Sequence, residues 1–202
     1  MNSDEASAWI LRFHRKGTEG VEELTDLDRR AGDGDFGWNI SSALTRATHA
    51  LQSDPGMTPG QAFGRVCDAF LNTGGTSGPL FGLWFGELAR SEAELWSLRE
   101  LRTAVRAGTA AVMRLGKAEL GHMTMVDAMV PAAIALEQAN LTTPVWAAVA
   151  DAAAAAMAGA ESTQTMVARR GRASYIGERA RGVIDPGALA VAWFFASGSS
   201  AS

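Results

Sequence analysis

Apolar side chains recur every three to four positions along most of this chain, the spacing that lines one face of an α-helix. Ala8, Ile10, Leu11, Val21, Leu24 and Leu27 carry the pattern through one or two opening helices, interrupted near Gly17 and Gly20. A second region runs from about Asn39 to Leu51 and stops at the turn residues Ser53, Asp54, Pro55 and Gly56. Thr58 and Pro59 open the next helix, because threonine caps and proline suits a first turn whose N–H has no partner. That helix ends near Leu71, before Asn72-Thr73-Gly74-Gly75. Another starts at Thr76 or Ser77 and carries Leu80, Phe81, Leu83, Trp84 and Leu88; more are expected near 98–115, 124–138, 144–160 and 185–197. No segment alternates apolar and polar residues for long, so strand signals are weak. The pattern predicts an all-α chain of about eight helices in an antiparallel bundle with short connections. Residues 1–196 read as a single domain and 197–202 as a flexible tail.

Composition narrows the function classes. The chain has 202 residues, 47% hydrophobic and 20% charged, enough apolar material for a sizeable core and too much for disorder. The net charge is −4 and the 18 basic residues are scattered, with one short cluster at Arg169, Arg170 and Arg172, which argues against nucleic acid. The single cysteine, Cys67, excludes an internal disulfide and a cysteine zinc site; among Phe63, Val66, Phe70 and Leu71 it reads as a small buried hydrophobe. Met1–Arg15 holds Asp4 and Glu5 and no long apolar run, so neither a signal peptide nor a membrane anchor is expected. The most apolar stretch, 145–160, is mostly alanine and contains Asp151. The expected location is cytoplasmic.

Glycine and aspartate are too dense in three loops for a plain bundle. The first, Asp28 to Asn39, carries Asp28, Asp33 and Asp35 with Gly32, Gly34 and Gly37 between them. Three close carboxylates repel one another unless a cation lies among them, and hard oxygen donors select magnesium or calcium. The spacing is not that of an EF-hand. A solvated acidic turn is the plainer alternative, but a helix cap needs one aspartate and not three. The second loop, Gly74-Gly75-Thr76-Ser77-Gly78, leads into a helix and forms an anion nest of backbone N–H groups, without the lysine of a P-loop. Alone it is as readily a capped glycine turn. The third is Asp185-Pro186-Gly187. Alternate loops of an antiparallel bundle share one end, and a metal-bridged di- or triphosphate reconciles acidic and anion-binding loops there.

Five segments, in order, then match a known family: Asp28…Gly32-Asp33-Gly34-Asp35…Asn39; Gly74-Gly75-Thr76-Ser77-Gly78-Pro79-Leu80-Phe81-Gly82; Gly116-Lys117-Ala118-Glu119; Thr124-Met125-Val126-Asp127-Ala128; and Gly171-Arg172-Ala173-Ser174-Tyr175-Ile176-Gly177-Glu178-Arg179…Asp185-Pro186-Gly187-Ala188. Across nearly the whole chain the sequence resembles the nucleotide-binding L subunit of bacterial dihydroxyacetone kinase. The resemblance implies an eight-helix antiparallel barrel with ADP or ATP at one rim. It implies that Asp28, Asp33 and Asp35 hold two Mg2+ ions, and that Phe36, Gly37, Trp38, Asn39, Thr76 and Ser77 lie on the phosphate side. Gly116, Thr124 and Met125 match positions around base and ribose, while Asp185, Pro186 and Gly187 match further nucleotide contacts. Arg172 matches a nucleotide contact and is the natural catalytic cation, with a guanidinium fork suited to phosphate. Of the six tryptophans, Trp38 alone sits in the metal loop; Trp9, Trp84, Trp96, Trp146 and Trp193 read as core.

The chain departs from the family at three places. Phe36 stands where the family usually has histidine, His122-Met123 stand for Asp-Lys, and Val183 lies near a further family histidine. The family holds dihydroxyacetone on a separate subunit or domain through a histidine, and none of His14, His49 and His122 lies in such a motif. The implied role is therefore a kinase subunit that works with a dihydroxyacetone-binding partner, with bound ADP recharged by a phosphocarrier of the phosphotransferase system; a homodimer is compatible with it. A non-catalytic nucleotide-binding regulatory module of the same fold is the alternative. A magnesium-dependent phosphohydrolase is a third, which lacks an obvious nucleophile.

Overall fold

The computed structural model describes residues 1–54, 56–175 and 177–199, and the backbone alone for Arg179. Pro55 of the predicted turn, Ile176 of the last motif and residues 200–202 lie outside the described residues. The described residues form nine α-helices: α1 Ser3–Glu19, α2 Val21–Ala31, α3 Phe36–Gln52, α4 Pro59–Leu71, α5 Ser77–Ala89, α6 Leu98–Gly116, α7 Val126–Gln138, α8 Val145–Ser162 and α9 Pro186–Ser199. Capping boxes set three of the starts, through Asn2 with Glu5, Thr58 with Gln61, and Ser97 with Glu100.

Eight of these helices close a ring. α1 packs on α3, α3 on α4, and so on in chain order to α9, which returns to α1. The ninth, α2, stands outside that order and rests on α3, α9 and α1. The expected eight-helix antiparallel barrel is therefore present, with one additional short helix at its rim. α9 is buried around its circumference and has almost no amphipathic character, as expected of a helix covered by α1, α7, α8 and α2.

Aromatic rings fill the barrel. Trp9, Phe13, Phe63, Phe70, Phe81, Trp84, Phe85, Trp96, Phe194 and Phe195 are all fully buried. Trp9 stacks on Phe194 at 4.6 Å between centroids, and its indole N–H donates to the Phe194 carbonyl at 2.6 Å. Trp38, which the sequence set apart from the core, is exposed, and Trp146, expected in the core, is only half-buried. Cys67 is half-buried as well, and burial, with Asp68 adding to it, pushes its thiol pKa up.

The tail differs from expectation. α9 continues through Ser199, and Ser197 is buried. The Ser197 hydroxyl donates to the Trp193 carbonyl at 2.7 Å, and its own carbonyl accepts from Arg12 Nε at 2.6 Å. Small residues there continue a helix because they fit against Trp9, not because they lack structure. No described helix is long and apolar enough to cross a membrane.

Candidate functional site

Four connections meet at one end of the ring: 32–35, 72–76, 117–125 and 163–185. They surround a cavity of about 190 Å³. Composition singled out parts of three of them and the family resemblance parts of the fourth, 117–125, which falls at the same end because α6 and α7 are antiparallel neighbours.

The acidic cluster is assembled by a helix end, a loop and a helix start. Asp28 sits in the last turn of α2, Asp33 in the loop, and Asp35 at the cap of α3. Asp28 Oδ2 accepts the Phe36 N–H at 3.1 Å, which fixes one carboxylate against the start of α3. One carboxylate oxygen from each of the three lies within 4.8 Å of the others. The guanidinium of Arg172 contacts Asp33 directly and lies 3.9 Å from Asp35. A cation is thus already seated among these groups, and an all-oxygen donor set of this kind fits a hard divalent ion.

Opposite the carboxylates lies the glycine nest. Gly75 has φ +83, and a Cβ there would come 3.3 Å from Asn39 Nδ2 and 3.9 Å from Asp35 Oδ2, so the nest faces the acidic loop. Thr76 and Ser77 line the cavity at the N-terminus of α5, where the Thr76 side chain makes no capping bond. Free N–H groups and hydroxyls at a helix N-terminus suit an anion.

One wall of the cavity is apolar: Ala31, Phe36, Leu80, Val112, Ala118, Met123, Met125 and Val126, with Gly116 beside them. Thr124, Arg170, Gly171, Arg172, Ala173, Asp185, Pro186 and Gly187 complete the lining. Most of the apolar wall was not legible in the sequence, since Leu80, Val112 and Val126 repeat the period of ordinary core residues. Gly37, Trp38 and Asn39 do not line the cavity. Asn39 faces the nest, Trp38 is 59% exposed, and Gly37 packs on α2. A Cβ at Gly37 would fall 2.2 Å from the Val21 carbonyl oxygen and 2.4 Å from Thr25 Oγ1, so this glycine permits the α2–α3 contact.

Asp185 is half-buried, but its carboxyl group is turned inward. Desolvation pushes its pKa up to about 7; the Ala188 N–H, donating at 2.7 Å, opposes this, and Asp127 and Asp28 add to it. The Asp185 N–H donates to Thr163 Oγ1 at 2.9 Å, and the Gly182 N–H to the Gln164 carbonyl at 2.8 Å. These two bonds draw together the ends of the 163–185 segment.

That segment has its own small apolar cluster of Ala31, Met123, Ala168, Ala180 and Val183. Two of the departures from the family pattern, Met123 and Val183, therefore belong to one packed group, while Phe36 belongs to the main core beside Phe81 at 6.3 Å. His122 is turned back on its own loop, where Nδ1 accepts the Glu119 N–H at 3.1 Å. The one basic cluster seen in the sequence lies here, for Arg170 and Arg172 line the cavity and Arg170 Nε donates to the Lys117 carbonyl at 2.6 Å.

Known proteins of similar sequence align over nearly the whole of this chain. The chain is 39% identical over 189 residues to the PEP-dependent dihydroxyacetone kinase ADP-binding subunit DhaL of Escherichia coli, covering 91% of this chain and 89% of that one. It is 32% identical over 196 residues to the subunit of the corresponding kinase 1 of Listeria innocua, covering 96% and 94%. In fold it resembles the dihydroxyacetone kinase from C. freundii solved with AMP-PNP and Mg2+, with a TM-score of 0.75 and 24% identity. The match spans all of this chain and 34% of that larger kinase. Residues 30–199, which include every loop of the cavity, match the DAK2 domain, and the chain belongs to that family.

Proposed function

We propose that this chain is the ADP- or ATP-binding subunit of a dihydroxyacetone kinase, a phosphotransferase that passes a phosphoryl group to a small hydroxyketone held on a partner subunit. The observation that carries this is the convergence of the Asp28, Asp33 and Asp35 oxygens within 4.8 Å, with an arginine seated among them and a glycine nest facing them at one cavity. Asp28, Asp33 and Asp35 hold two Mg2+ ions in this proposal. When bound, such ions neutralise the phosphate oxygens and clamp the transferring group.

The chain's own residues do the rest. N–H groups and hydroxyls of Thr76 and Ser77 donate to the phosphates, with Asn39 beside them. Gly116, Met125, Pro186 and Gly187 bound the apolar side, which takes the base and excludes water from it. Phe36 closes the floor beneath the carboxylates. The Thr124 hydroxyl and the Asp185 carboxylate hold the loop ends on that side by accepting the N–H groups of Val126 and Ala188. Arg172 leaves its carboxylate partners and donates to the phosphoryl oxygens, where its charge opposes the charge that builds up in transfer. Gly37 and Trp38 act less directly, the first by seating α3 on α2.

The names of the relatives support a phosphoenolpyruvate-dependent assembly. In it, residues 1–196 are one nucleotide-binding unit, a phosphocarrier of the phosphotransferase system recharges bound ADP, and the work is done in the cytoplasm; self-association as a homodimer is the remaining element of the proposal. The regulatory alternative draws on Phe36, which sets a buried ring beside Asp35 instead of a polar group.

The test is to denature the purified protein and identify released nucleotide by mass spectrometry, with and without prior chelation. ADP lost only after chelation supports the coupled subunit. No released nucleotide, together with no binding of added ADP and Mg2+, overturns it. Adding a dihydroxyacetone-loaded partner and a phosphoryl donor separates kinase from regulator, since only the kinase yields phosphorylated product.

A further inference from the structure

We infer that Asp127 is a positioning residue: its buried carboxylate clamps the 117–125 loop, and through that loop it anchors the 163–185 segment that carries Arg172. The inference rests on reading the cavity as the nucleotide site, but its geometry stands without a ligand.

Asp127 is 1% exposed and makes no ion pair among the described residues. A buried charge without a cation is costly unless hydrogen bonds compensate it. Here both oxygens are used. Oδ1 accepts the Gly121 N–H at 2.5 Å, and Oδ2 accepts the Thr124 N–H at 2.8 Å. The residue also lies in the first turn of α7, where the helix dipole favours negative charge. Two converging N–H donors need two acceptor atoms, which an ionised carboxylate has. An asparagine would turn its own NH2 toward one of them.

The clamped loop needs such a hold. Lys117 at φ +48, Gly121 at φ +89 and Met123 at φ +58 are all left-handed, and two of them carry side chains that disfavour this region. Met123 lies between the two clamped segments, and its buried side chain sits in the cluster formed with Ala168, Ala180 and Val183. Two further bonds tie the same loop to the 163–185 segment: the Arg169 N–H to the His122 carbonyl at 3.1 Å, and Arg170 Nε to the Lys117 carbonyl at 2.6 Å. Ala118, Met123, Thr124 and Met125 line the cavity from this loop, and Arg172 reaches it from the segment. One carboxylate outside the cavity lining therefore sets both the apolar wall and the support of the arginine.

The test uses the full chain with Asp127→Asn. Loss of a hydrogen bond to a charged group corresponds to roughly a 10- to 100-fold loss of affinity. We expect the Kd for ADP with Mg2+ to rise by about that factor by calorimetry. In nucleotide-free protein, tryptic cleavage after Lys117, Arg169 and Arg170 should quicken at least about tenfold, while helicity by circular dichroism is retained. Mn2+ binding to the nucleotide-free carboxylates, read by electron paramagnetic resonance, should change far less than ADP binding. Wild-type cleavage rates and wild-type ADP affinity in the variant would overturn the inference, as would equal losses of ADP and Mn2+ binding. Should the variant fail to fold, amide exchange at Gly121 and Thr124 in the unaltered protein decides: protection comparable with α7 supports the clamp, and exposed-loop rates refute it. If the unaltered protein binds no ADP, the nucleotide reading fails, and the cleavage and exchange results still judge Asp127.

Discussion

The guanidinium of Arg172 contacts the carboxylate of Asp33, although the two residues come from opposite ends of the chain and from segments that share no helix. Asp35 stands 3.9 Å from the same nitrogen. Two of the three clustered carboxylates thus meet one arginine, which neutralises part of the cluster's mutual repulsion and itself lines the cavity. The ion pair is about half exposed, so its worth to the fold is small. Its interest lies in what replaces it.

Asp33→Asn should abolish retention of ADP with Mg2+ while leaving the helical signal unchanged. Asp33 is exposed and belongs to no packed cluster, so the change removes a ligand oxygen's charge without opening the core. Equilibrium dialysis with Mn2+ and ADP, beside far-ultraviolet circular dichroism, measures both. A collapse of helicity would mean that the loop is structural.

Arg172→Gln should weaken ADP binding by roughly 10- to 100-fold, the usual worth of a charge-assisted hydrogen bond, and slow phosphoryl transfer further. In the absence of nucleotide the same variant should bind Mn2+ at least as well as the unaltered chain, because the competing cation is gone. Calorimetric titrations with each ligand give the comparison.

Gly37→Ala should destabilise the protein by on the order of 1–3 kcal/mol, the cost of overpacking a close contact. The added Cβ would sit 2.2 Å from the Val21 carbonyl oxygen, which forces α3 and α2 apart and shifts Asp35 and Phe36 with them. Urea denaturation gives the loss. A stable variant with weakened ADP binding would instead assign Gly37 a direct role at the phosphates.

The ligand-free protein should lose stability as pH rises from about 4 to about 7 through Asp185. Its folded pKa is raised from 3.8 to about 7, so the folded state holds a proton that the unfolded state has released across that interval. The contribution is fully present below the lower value and lost above the upper one. Asp185→Asn should flatten this part of the pH profile of the unfolding midpoint, measured by denaturant titration at several pH values.

Helix boundaries were legible because capping and periodicity are local. Thr58-Pro59 opened α4 where the sequence indicated, and α6 begins at the expected position 98 with Ser97 as its cap, since the capping partners lie three residues away. The division of the opening region into α1 and α2 was less legible. Gly20 stands at the break, where the Trp193 ring occupies the space a side chain would need, and that ring comes from the other end of the chain. Ser197 and Gly198 misled for the same reason: their fit against Trp9 and Trp193 is a long-range fact.

By itself the sequence determined the all-helical character, the acidic triad and the glycine nest, because each depends on spacing within a few residues and on the chemistry of the side chains present. Only the tertiary structure decided which helices close the ring, that α2 stands at its rim, and which apolar residues face the cavity. It also decided that Met123 packs with Val183 and that Asp127, outside the cavity lining, holds two backbone N–H groups. A local pattern fixes which face of a helix avoids water; which neighbour covers that face is settled by the packing of the whole barrel.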